Sequence, residues 1–146
     1  MSKVEDFLSA KEEEEIIAAI RKAERSTSGE IRVHIENHTD MDTFNRTLEV
    51  FHLLKMDNTR LRNGVLIYVA VSDKTFVIYG DEGINNVVPK GFWDSTRDAM
   101  RNQFKQGNFK QGLIEGVLQA GLELQKHFPW DADTDENELP NEISRG

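Results

Sequence analysis

The segment Val65-Leu-Ile-Tyr-Val-Ala-Val71 narrows the possible folds more than any other part of the chain. It is apolar at every position, rich in β-branched residues, and opened by Asn63-Gly64. A strand with two apolar faces needs cover above and below, so this run predicts the centre of a sheet with helices on both sides. Ser72-Asp73-Lys74 has turn chemistry, and residues 75–79 form another β-rich run directly after it. A link that short makes the two strands antiparallel. The run is also far short of the roughly 20 apolar residues that span a bilayer, so no membrane insertion is expected.

The remaining elements follow from periodicity. Ser9 and Glu12 have the spacing of a capping box, and Ile16, Ile17, Ile20 and Ala23 then repeat at helical intervals. Glu12 to Glu15 at the start of this helix and Arg21, Lys22 and Arg25 near its end suit the helix dipole, with Gly29 as the expected stop. Residues 30–36 alternate, with Ile31, Val33 and Ile35 on one face and Arg32 and His34 on the other, which predicts a half-covered strand. A second helix carries Phe44, Leu48 and Phe51 on one stripe. Pro89 precedes a third over about 92–105, and Gly107-Asn108 divides it from a fourth over about 109–127. In that last helix Gly112, Gly116 and Ala120 are spaced by four and permit close approach of a neighbour, while Glu115, Gln119 and Glu123 rule out a membrane role for the stripe. The order α-β-α-β-β-α-α predicts an α/β fold with a mixed sheet and helices on both faces, its β-α-β crossover right-handed.

The length of 146 residues suits one domain, expected over 1–130, with an acidic and flexible tail over 131–146. The net charge is −8; the tail holds six acids and one base, which leaves −3 on the body. That balance argues against nucleic acid and is compatible with cations. There is no cysteine, so disulfides, thiolate metal sites and cysteine nucleophiles are excluded. Residues 1–10 contain Glu5 and Asp6 and no apolar core segment, unlike a secretory signal, and a cytoplasmic location is expected.

No phosphate-binding glycine loop, dinucleotide fingerprint, nucleophile elbow or His-Glu-x-x-His motif occurs. His34, His38, His52 and His127 form no ligand pair on a helix face. The chemistry left is that of carboxylates and hard cations. If the first two strands are parallel and the third antiparallel, Glu30, Asn63 and Asp81-Glu82 share one edge of the sheet, and Asp94 could fold back onto it. Carboxylates converging there repel one another unless a cation intervenes. Asp94 also suits a helix start and Asp81 a turn, without any ion. Asp131, Asp133, Asp135 and Glu142 fall at calcium-loop positions, but Glu136 replaces the turn glycine and Pro140 interrupts the loop, so a solvated tail is the simpler reading.

Several motifs together resemble the TPM domain family over residues 9–128. They are Thr27-Ser28-Gly29-Glu30-Ile31-Arg32-Val33, Arg62-Asn63-Gly64-Val65-Leu66-Ile67-Tyr68, Ile78-Tyr79-Gly80-Asp81-Glu82-Gly83, and Phe104 to Leu113 with its Phe-x-x-Gly-x-Phe-x-x-Gly-Leu spacing. The resemblance implies a three-layer α/β/α sandwich with a small, mixed, mostly parallel sheet. It also implies a divalent-cation site, usually Ca²⁺ with Mg²⁺ as the other option, at acidic residues of a sheet edge. Asp81, Glu82 and Asp94 are the residues carried over, with Glu30 beside them. Three functions come with it: a calcium-binding domain with a structural or regulatory role, a metal-assisted acid phosphatase drawing on Arg60, Arg62 or Arg97, or a protein-interaction module without chemistry.

Overall fold

The computed structural model describes residues 8–130 and 143–145. Helix α1 (Ala10–Glu24) starts at the expected capping box: Ser9 Oγ accepts from Glu12 N–H at 3.2 Å, and Glu12 Oε1 accepts from Ser9 N–H at 3.0 Å. It ends at Glu24, five residues before Gly29. The chain needs that interval to turn, and it is anchored there: Ser28 N–H donates to Phe128 C=O at 2.8 Å, tying the entry of the next strand to the far end of the last helix. Strand β1 (Glu30–Glu36), helix α2 (Thr43–Leu53) and strand β2 (Gly64–Ala70) form the crossover, with β1 and β2 parallel throughout. Strand β3 (Thr75–Gly80) returns antiparallel to β2. A short helical turn, α3 (Glu82–Asn85), then leads to α4 (Asp94–Lys105) and α5 (Phe109–Gln125).

The sheet order is β3-β2-β1-β4, in which β4 (Ser144–Arg145) pairs parallel with His34 and Ile35 of β1. The hydropathy pattern assigns no element at 143–145. Pairing with β1 creates one, since the outer edge of that strand supplies ready backbone partners. The calcium-loop pattern of 131–142 lies outside the described residues.

Helices cover both faces. Ile31, Val33 and Ile35, with Val65, Ile67 and Val69, pack against α1 and α5 through Ile16, Ile20, Leu113, Val117 and Leu124. On the other face Leu66, Tyr68 and Ala70 pack beneath Val50, Phe51 and Met56. This second layer corrects the expectation of a half-covered β1: all seven of its residues are buried, including Arg32, His34 and Glu36. It also corrects the stripe of α2. Thr47, Val50 and Phe51 face the sheet, whereas Phe44 is half-exposed and meets the Tyr79 ring edge to face. The small stripe of α5 does receive a neighbour. A methyl group at Gly112 would lie 2.5 Å from the Phe104 ring, and one at Gly116 would lie 2.5 Å from Met100 Sδ. Among the described residues no helix is long and apolar enough to cross a membrane.

Candidate functional site

The two registers settle which residues meet. Glu30 stands opposite Gly64 across the parallel pair, and Val65 opposite Gly80 across the antiparallel one. Asp81 N–H then donates to Gly64 C=O at 3.0 Å, and Glu30 N–H to Asn63 C=O at 3.3 Å. Glu30, Asn63 and Asp81 are therefore gathered at one edge of the sheet, and all three are buried.

Asp81 caps α3. Its Oδ1 accepts from Glu82 N–H at 2.7 Å, and its Oδ2 accepts from Arg62 Nε at 3.2 Å. Arg62 also donates from Nη2 to Glu82 Oε2 at 3.3 Å. One guanidinium thus bridges the buried carboxylate and the exposed one beside it, and the hydrogen bond to Asp81 raises its pKa. Arg62 makes this bridge from a left-handed backbone, φ 52°, a region that side chains other than glycine's enter rarely. Its loop presses on α3 so closely that a methyl group at Gly83 would lie 2.2 Å from Leu61 C=O and 2.4 Å from Arg62 C=O.

Asp94 is placed differently. It is the first residue of α4, not its cap, and its Oδ1 accepts from Arg97 Nη1 at 3.2 Å. Among the described residues, no group of three or more histidine, aspartate or glutamate side chains converges closely enough to hold a metal ion. The cation at Asp81 and Glu82 is a guanidinium.

Glu24 joins this region without having been singled out from the sequence. At the end of α1 its position looks solvent-facing, but its Oε2 accepts from Ile31 N–H at 3.1 Å on the outer edge of β1. Burial pushes its carboxyl up from 4.5 to about 7; the Ile31 hydrogen bond opposes the rise and the charge of Glu30 adds to it. In the unfolded chain Glu24 loses its proton near 4.5, whereas in the folded chain it holds the proton to about 7. The folded state is therefore penalised increasingly across that window. Glu24→Gln, studied in chelator, is expected to gain about 1–3 kcal/mol near neutral pH and almost nothing at about pH 4. Urea denaturation at the two pH values reads the difference, and equal effects at both would mean that the carboxyl ionises freely.

A second polar cluster lies under α2. Glu36 accepts from Arg46 Nε and Nη2, both at 2.9 Å, and from the Tyr68 hydroxyl. His34 Nε2 lies 3.0 Å from its Oε1, and Ser144 Oγ of β4 lies 3.0 Å from His34 Nδ1. Burial alone would raise the Glu36 carboxyl, but the hydrogen bonds from Arg46, Tyr68 and His34 outweigh it and hold the group at about 2. Burial keeps His34 below its ordinary value, with Glu36 opposing the shift.

A mixed sheet between helical layers, with an acid-lined edge where β1, β2 and β3 meet, defines an α/β/α sandwich. The profile of the TPM domain matches residues 1–122, and the chain belongs to that family. No curated protein matches the sequence. Solved structures do. The BA42 protein from the psychrophilic bacterium Bizionia argentinensis is 64% identical, each chain covering 100% of the other, with a TM-score of 0.93. The N-terminal domain of a P. gingivalis protein is 26% identical over 84% of this chain and 79% of that one, with a TM-score of 0.68. The N-terminal domain of the cg2496 protein from Corynebacterium glutamicum shares the fold at 15% identity, covering 91% and 83%, with a TM-score of 0.66.

Proposed function

We propose that this TPM domain binds a divalent cation, calcium in preference to magnesium, in a structural or regulatory role. The observation that carries the reading is the bridge at Asp81. A buried carboxylate and its exposed neighbour Glu82 share a single guanidinium, whose side chain is 45% exposed. A hard ion can take that place, because the donors on offer are oxygen: Asp81 and Glu82 at the bridge, with Glu30 farther along the same sheet edge on β1, beyond β2. Asp94 is engaged by Arg97 and is assigned no ligand role. Two carboxylates completed by backbone oxygen give an irregular set of donors, which calcium accepts with its flexible six to eight ligands and magnesium, held to a near-ideal octahedron, does not. Such a site belongs to the weak range, with Kd on the order of 10⁻⁴–10⁻³ M. The ion would take the place of the guanidinium at the start of α3 and stabilise the folded state by mass action. The phosphatase alternative gains no support from the geometry, since the arginine that would receive a phosphate here already holds two carboxylates.

Thermal melting tests the reading. Calcium well above Kd should raise the midpoint by several degrees relative to chelator, corresponding to about 2–3 kcal/mol. Arg62→Gln should melt lower in chelator and gain more from calcium than the parent does, because the ion no longer competes with the guanidinium. Asp81→Asn should abolish the calcium response. A parent protein indifferent to calcium at about 50 mM sinks the proposal.

A further inference from the structure

The opposite end of the same strands holds a cavity of about 600 Å³. Val69, Ala70 and Val71, at the carboxyl end of β2, form one wall. Phe76, Phe104 and Phe109 form an aromatic floor, with Phe76 and Phe104 edge to face at 5.2 Å and Phe104 and Phe109 tilted at 5.9 Å. Lys74, Arg101 and Lys105 line the remaining side. Among the described residues no acidic side chain lines the cavity. Arg101 lies 3.6 Å from Asp98, while neither lysine has an ion-pair partner among the described residues.

This arrangement runs against the chain as a whole. In a protein of net charge −8, three cations gather around one apolar hollow. The volume is that of a small-molecule pocket. Lys74 stands in the hairpin with a left-handed backbone, φ 53°, so a cation occupies a turn position that glycine would fill with less strain. Gly107, φ 78°, closes the junction between α4 and α5 on the other side, and a methyl group there would meet nothing within 4 Å.

We infer that this cavity is a binding site for a small amphipathic anion, an aryl group carrying a carboxylate. The ring lies on the phenylalanine floor, where edge and face contacts add to the burial of apolar surface. The carboxylate meets Lys74, Arg101 and Lys105. The site is independent of the cation proposal, since Ala70 and Thr75 lie at the other end of the hairpin from Gly64 and Asp81.

The test is an amide NMR titration of the full chain with 4-phenylbutyrate, with 4-phenylbutanol and butyrate as matched probes that lack the charge and the ring. Saturable shifts are expected at Val71, Phe76 and Gly107 with 4-phenylbutyrate, with the other two probes at least about tenfold weaker. The double variant Lys74→Glu/Lys105→Glu, at two exposed positions, should weaken 4-phenylbutyrate by about tenfold and leave 4-phenylbutanol unaffected. Equal binding of the alcohol, shifts centred on the Arg62 edge, or no saturable shift would each overturn the assignment.

Discussion

Glu36→Ala is expected to remove about 3 kcal/mol of stability, a large share of what a domain of this size possesses. The reason is what stays behind. Arg46 loses two hydrogen bonds at 2.9 Å, the Tyr68 hydroxyl loses its acceptor, and His34 Nε2 faces a void. Removing one member of a buried network costs more than the network's own worth, because the partners' desolvation is left uncompensated. Arg46 retains Glu49 on the same helix, which keeps the loss below that of a wholly buried pair. The pH dependence carries the same signature. The Glu36 carboxyl titrates at about 2 in the folded chain against an ordinary 4.5. Its contribution is therefore complete above about 4.5 and is lost as the pH falls toward 2. Urea denaturation at neutral pH and at about pH 3 should show the parent approaching the variant in acid. A constant gap would mean that the carboxylate is not what holds the cluster.

Gly83→Ala should cost about 3 kcal/mol, at the upper end of overpacking. The added methyl group would meet backbone, Leu61 C=O at 2.2 Å and Arg62 C=O at 2.4 Å, and neither can rotate away as a side chain would. The loop must lift, and the Arg62 bridge to Asp81 and Glu82 lifts with it. Gly107→Ala separates contact from conformation. It meets nothing within 4 Å but keeps φ 78°, so it should cost only about 1 kcal/mol from backbone strain. Chemical denaturation of both variants ranks them, and a Gly107→Ala cost equal to or above that of Gly83→Ala would contradict the close approach. Calcium provides a second reading: under the cation proposal, Gly83→Ala should also lose most of the melting shift.

Periodicity was enough to find β1, whose bounds match the alternating run at 30–36, and to start α1 at the Ser9 capping box. Both are local signals, a side chain's spacing or a cap within three residues, and they survive whatever packs around them. The common edge of Glu30, Asn63 and Asp81 was also legible, because a parallel crossover followed by a tight hairpin leaves few ways to order three strand ends. Which of those acids hold one another was not. That depended on Arg62 reaching across from a strained loop and on Arg97 claiming Asp94.

The largest error concerned the polar face of β1. Alternation of Ile31, Val33 and Ile35 with Arg32 and His34 describes a strand with one face in water, and the sequence by itself cannot tell a solvated charge from a neutralised one. Tertiary structure decided it, by laying α2 over that face with Arg46 aimed at Glu36 and by adding Ser144 at the edge. The chain alone thus determined the four longer helices and the first three strands, their order and the strand ends that meet, since these follow from backbone geometry and local patterning. Burial of Glu24 and Glu36, the partner of Asp81 and the cationic rim of the cavity come from contacts between distant segments, which sequence spacing does not encode.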